Sequence, residues 1–318
     1  MIIYETSFGS VLSAMSSPRQ VLRPLILVSS VVGTIPFTPN LKFSTLLLIS
    51  CVFMNSVPPF YILNSAIQIL KTIQHVPAFV SFQAIPKIIC PVACMLNLYF
   101  AIRRRAKFLL ILSGFDEIHN FFKFSGAGLD KPRRLVQLLI FSICILAWAI
   151  TLLDIAIKHQ KFNMSSVMSS VKYLIVATAL QSLGTQFLSF SILILFYLKH
   201  INNKIAESKS LYFACGKNKN VSKQIDDLRV AHNKLSENAR LVNRVYGIYL
   251  LLPLSYISIH LQMDFFEIIR NIINYTTEFP YESWEGTEWF INIMWIFNEI
   301  NKLCTYFVVS YLVSTEVN

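Results

Sequence analysis

Polar side chains set inside long apolar runs are the groups of this sequence that could do chemistry. His260 stands two residues before Gln262 and four before Asp264, at the end of the run GIYLLLPLSYISIHL. An imidazole four residues from a carboxylate shares its helix face and can hydrogen-bond it. Glu299 and Lys302 are three apart, a spacing that also lets them pair on one face. Gln181 and Gln186 lie in one apolar run, Asp154 and Lys172 close and open neighbouring runs, and Lys87 sits between Pro86 and Pro91. A charge in hydrocarbon is costly, so each such group is expected to face the interior of a bundle. Facing inward is not the same as binding: structural pairing is about as common an outcome as a solute site. Trp148, Tyr173 and Trp295 lie deep in apolar runs, and rings with a few polar groups can line an apolar ligand pocket. Packing or lipid contact is the commoner role for any one ring. The pocket candidates are therefore Trp148, Asp154, Tyr173, Gln181, His260 and Trp295.

Catalytic signatures are absent from this list. The six histidines are dispersed singly, with no H-E-x-x-H and no G-x-S-x-G. Nine glycines, Gly114, Gly126 and Gly128 among them, fit no phosphate-cradling loop. Cys90 and Cys94 share a helix face, but no histidine or carboxylate accompanies them, so packing outweighs metal binding. None of the six cysteines falls in a predicted outer loop, and no disulfide is expected. The sequence predicts no enzyme, no metal and no cofactor.

The elements that hold these groups follow from hydropathy. The 318 residues are 54% hydrophobic and only 14% charged, with a mean hydropathy of +0.54. Soluble domains carry about 25% charged residues. Six blocks have roughly membrane-spanning length: Leu46–Leu63, Pro77–Ala101, Leu135–Ile157, Lys172–Leu198, Val245–Phe266 and Trp289–Val313. The fold class is all-α, a polytopic transmembrane helix bundle. No signal peptide is visible in the first twenty residues.

Lysine and arginine orient it. Most of the 28 fall in the N-terminal segment, in the segment after the second block (Arg103, Arg104, Arg105 and Lys107 onward), and in the segment after the fourth. Few lie between the other blocks. The positive-inside rule then puts the N-terminus in the cytoplasm. It also accounts for the net charge of +11 without nucleic acid, because the cations flank apolar spans rather than forming a soluble face. The predicted organisation is a cytoplasmic arm over 1–43, spans one to four over 44–198 with a cytoplasmic segment at about 102–134, a cytoplasmic helical region over 199–244, spans five and six over 245–313, and a cytoplasmic end over 314–318. Glycosylation sequons at Asn163 and Asn274 fall in predicted outer loops, and one at Asn220 inside.

The most informative stretch is Ile225–Tyr249. Leu228, His232, Leu235, Ala239, Val242 and Tyr246 recur at steps of three and four, while Asp227, Lys234 and Asn238 are expected to face water. From Gly247 the polar face vanishes. A helix that changes this way passes from water into lipid, and Leu228, His232, Leu235 and Val242 form its predicted packing stripe.

Leu228-Arg229, His232, Leu235, Ala239-Arg240, Asn243 and Tyr246 resemble the entry to the fifth spanning helix of insect gustatory receptors. Leu22-Arg23-Pro24-Leu25, Gly33 and Pro36-Phe37 resemble that family's entry to its first helix, and Cys304 with Ser314–Asn318 resembles the end of its sixth. The resemblance implies a ligand-gated cation channel subunit that detects tastants. It implies a plasma-membrane protein with a small-molecule tastant as ligand, tetrameric with itself or related receptors, whose ligand enters the outer half of the bundle and whose cytoplasmic helices form an inter-subunit anchor. The family's seventh-helix signature is Thr-Tyr, five apolar residues, then Gln-Phe. Here Thr305-Tyr306-FVVSY is followed by Leu312-Val313, within the sixth block, so the resemblance implies a chain that lacks the pore-lining seventh helix. The competing reading is a solute transporter or a non-conducting membrane scaffold that partners full-length receptors. A downstream Thr-Tyr and Gln-Phe segment in the gene separates the two.

Overall fold

A computed structural model of the chain describes residues 18–38, 42–72, 88–89, 91–92, 94–99, 102–122, 130–158, 164–215, 219–276 and 286–317. It is an all-α transmembrane bundle; the one β feature among the described residues is an isolated antiparallel bridge, Phe37 to Phe43. The helices are α1 (Pro18–Val31), α2 (Thr45–Thr72), α3 (Arg105–Phe122), α4 (Asp130–Ile140), α5 (Leu146–Lys158), α6 (Met164–Cys215), α7 (Lys219–Thr276) and α8 (Gly286–Val317). A π-helical turn over Phe141–Ile145 joins α4 to α5.

Four described stretches are long and apolar enough to cross a membrane: Thr45–Gln68, Asp130–Leu153, Gln181–Ser210 and Val221–Phe266. They contain the first, third, fourth and fifth expected blocks, in whole or in large part. The second, Pro77–Ala101, lies largely outside the described residues, and Lys87 and Cys90 with it. The sixth is helical throughout as α8, but Glu299, Lys302 and the asparagines Asn292, Asn298 and Asn301 keep its hydropathy lower.

Helix α6 is the centre. From Gln181 to Leu198 almost every side chain is buried or nearly so. A helix buried all round needs neighbours on all sides, and α1, α2, α4, α5, α7 and α8 all pack on it. At 1.5 Å per residue, the 52 residues of α6 span about 78 Å and the 58 of α7 about 87 Å. The hydrocarbon core is about 30 Å thick, so both helices run far outside it. Pro253 lies inside α7 without ending the helix. The expected change of character along one unbroken helix is therefore a continuous element in three dimensions. The same continuity relocates Asn274. It lies in the last turn of α7 rather than in an outer loop, because Ile268, Ile269, Ile272 and Ile273 prolong the apolar helix.

The segment read as an arm contains α1, whose Val21, Leu22, Leu25 and Ile26 are buried in the main core. Gly33, at φ +79°, follows the end of α1 in the left-handed conformation that suits glycine. Its carbonyl accepts a hydrogen bond from Asn55 of α2 at 2.6 Å. An aromatic ladder then ties α3 to α6 and α7: Phe108 against Phe190, Phe190 against Phe115 and Tyr246, and Phe115 against Tyr197, with ring centroids 5.7–6.3 Å apart. Arg104 marks the point where α7 changes character. It donates to the carbonyls of Arg244 and Val245 and lies over the Tyr249 ring at 4.7 Å.

Candidate ligand site in the bundle

The polar groups inside the apolar bundle form two clusters. The first joins α6, α7 and α8. Lys302 Nζ donates to Glu299 Oε1 at 2.7 Å, and the two side chains are 0% and 2% exposed. With its amide in the orientation the surrounding groups require, Gln181 accepts from Lys302 Nζ at 2.7 Å and donates to the carbonyl of Ile143, in the π-helical turn, at 3.2 Å. Tyrosine and histidine rings continue the cluster on α7. His260 Nδ1 lies 3.3 Å from Asp264 Oδ2, and its ring centroid is 5.4 Å from that of Tyr256 and 6.2 Å from that of Trp295 of α8. Trp295 is one helical turn before Glu299, so the ring and the ion pair lie on adjoining turns of α8.

Not every polar atom here is satisfied within the described residues. Neither amide atom of the fully buried Asn298 has a hydrogen-bond partner, and Glu299 Oε2 has none. A buried polar group left unpaired costs about 1–3 kcal/mol, more if charged. Unmet donors and acceptors beside aromatic rings are the chemistry with which a small polar molecule is held.

The second cluster is saturated. Gln186 Nε2 donates to Ser29 Oγ at 3.1 Å and Thr34 Oγ1 at 3.2 Å, and Gln186 Oε1 accepts from Tyr246 at 3.0 Å. Ser182 joins through Thr34 at 2.7 Å. This network ties α1 and its following turn to α6 and α7. Its partners are all engaged, which makes it a structural element rather than a binding one.

Of the residues singled out from sequence, Gln181, His260 and Trp295 come together in the first cluster. Trp148 takes no part in these contacts: its Nε1 donates to Thr178, one helical turn before Gln181, at 2.9 Å, and the residue is 41% exposed. The side chains of Asp154 and Tyr173 lie outside the described residues, although both positions are helical. Glu299 and Lys302 pair across the expected spacing. Sequence reasoning missed Asn298, whose only signal is an asparagine in an apolar run beside a glutamate. On α7, Leu228, Leu235 and Val242 are buried and His232 is half-buried. Asp227 and Lys234 are exposed, but Asn238 is 6% exposed and donates to the carbonyl of Ile111 at 3.3 Å. The expectation that Asn238 faces water was wrong. It follows Leu235 by three residues, which returns it to the buried face, where it packs against Gly114 of α3. Among the described residues no group of three or more histidine, cysteine or acidic side chains is placed to hold a metal.

A family model described as 7tm chemosensory receptor matches residues 22–318. No curated protein matches the chain.

Proposed function

Because the chain belongs to the 7tm chemosensory receptor family, we propose that it is a plasma-membrane receptor subunit that detects a small-molecule tastant and, assembled as a tetramer with itself or related receptors, gates a cation current. The observation that carries this reading is the cluster of Gln181, His260, Trp295, Asn298, Glu299 and Lys302. It combines two aromatic or heteroaromatic rings, a buried ion pair and, among the described residues, one unmet amide and one unmet carboxylate oxygen. Such a site suits a ligand with an apolar body and a few hydroxyl, amine or amide groups. In the same reading residues 199–244 are cytoplasmic, and the exposed part of α7 meets neighbouring subunits.

Thermal unfolding of the purified full chain with a panel of sugars, alkaloids and amino acids tests this. A ligand at one hundred times its Kd stabilises by about 2.7 kcal/mol, so at least one compound should raise Tm by several degrees. Trp295→Ala should lose that shift, while Trp148→Ala keeps it. If no compound stabilises the chain, the receptor reading fails. Accumulation of a stabilising compound in proteoliposomes would mark a transporter instead.

A further inference from the structure

A groove of about 690 Å³ opens between α4, α6 and α8 and shares no residue with the polar cluster described above. Its walls are apolar: Leu135, Leu138 and Leu139 from α4, Ile192 and Leu195 from α6, and Val308 from α8 are among them. One end differs. Lys131 in the first turn of α4 and Lys199 and His200 on α6 line it, and no aspartate or glutamate does. Lys131 and Lys199 are exposed, and no ion pair among the described residues engages either. The nearby carboxylate on α8, Glu316, is held by Asn202 at 3.2 Å.

We propose that this groove binds an anionic phospholipid, with an acyl chain along its apolar walls and the phosphate between Lys131 and Lys199. Position along the helices supports this occupant. From Lys131 to Ser142 the α4 wall extends eleven residues, about 16 Å along the axis, the length scale of part of one bilayer leaflet. Lys199 immediately follows the apolar stretch of α6 that ends at Leu198, and Lys131 stands four residues, about 6 Å along the axis, before the apolar stretch of α4 that begins at Leu135. Both cations therefore stand at the depth where a span meets the headgroups. Leu138, Phe141 and Val308 are 54–63% exposed, so the groove opens sideways toward the acyl chains rather than toward water alone. Basic pockets between spanning helices are the sites where anionic headgroups are recognised. An apolar peptide would leave two lysines without a counter-charge. A soluble phosphate would leave the apolar walls uncovered. This inference rests on the membrane-spanning fold and not on ligand detection.

Native mass spectrometry of the full chain, released from nanodiscs of phosphatidylcholine with added phosphatidylinositol 4,5-bisphosphate or phosphatidylserine, tests it. Anionic lipid should remain bound in preference to phosphatidylcholine. The double variant Lys131→Gln, Lys199→Gln should bind it roughly thirtyfold more weakly, the change expected for losing two cations at a membrane surface. Arg133→Gln with Arg134→Gln removes the same number of charges beside Lys131 on α4 but none from the groove lining, and should bind nearly as the native chain does. Leu135→Trp, which fills an exposed wall, should weaken retention while leaving both lysines in place. Equal weakening by the Arg133 and Arg134 changes would overturn the proposal in favour of diffuse surface charge. So would equal retention of phosphatidylcholine, binding of free inositol hexakisphosphate as tight as the lipid's, or a dimer that forms through the groove.

Discussion

Glu299 and Lys302 form a salt bridge with almost no exposure to solvent, and Gln181 supplies a second acceptor to the ammonium. Desolvating two charges is expensive, and their attraction offsets the cost only while both are present. Removing one partner leaves the other stranded, at about 3–5 kcal/mol. Lys302→Met should therefore lower Tm sharply and reduce the folded yield. Glu299→Gln with Lys302→Met, which leaves no charge behind, should recover much of that loss. A double variant no better than Lys302→Met would show that the pair is not the local source of stability. The pairing was readable from spacing. Asn298 was not, because an asparagine beside a glutamate gives no periodic signal, and its burial depends on how α8 is rotated in the bundle.

At the scale of elements, α6 and α8 meet at a glycine. A Cβ added at Gly184 would stand 1.5 Å from Tyr306 Oη and 2.6 Å from Cζ. Tyr306 is only 5% exposed, so its ring cannot swing clear without disturbing its packing, and Gly184→Ala should loosen the α6–α8 contact and reduce folded yield. Tyr306→Leu should partly restore it. Failure of Gly184→Ala to lower the yield, read by size-exclusion chromatography, would contradict this packing. Along α7, Leu235 is fully buried whereas Lys234 makes only an exposed contact with Glu117 of α3, at 3.2 Å. Surface pairs of this kind are worth about 0–1 kcal/mol, and an unpaired buried charge costs several. Leu235→Asp should abolish surface expression and Lys234→Asp should be tolerated. Equal loss would put the helix face elsewhere. The stripe itself was legible because α7 keeps helical periodicity for many turns. The role of α1 was not: Ser29 and Thr34 look like loop chemistry until Gln186, more than 150 residues on, donates to both hydroxyls.

For the whole molecule, composition alone gave the class, since a chain with so few charges and such long apolar runs has only membrane solutions. How the spans assemble was harder to foresee, because burial inside a bundle and exposure to lipid select the same side chains. Phe290, Ile293, Phe297, Phe307 and Tyr311 of α8 are all more than half exposed, and their sequence does not distinguish them from core residues. Orientation rests on lysine and arginine placement. Epitope tags at the two ends should both be stained only after cells are permeabilised. Staining of either tag on intact cells would contradict the cytoplasmic placement of that end.

The central claim is that a small molecule acts through the cluster around His260 and Trp295. Whole-cell recording from cells that express the chain with a related receptor subunit, over a concentration series of the compound that stabilises the purified protein, tests it most directly. Loss of an aromatic contact worth about 1 kcal/mol beyond its area shifts half-maximal concentration roughly five- to tenfold. A rightward shift of that size or more is expected for Trp295→Ala, and no shift for Trp148→Ala at equal surface expression. An unchanged dose–response in Trp295→Ala would contradict the account.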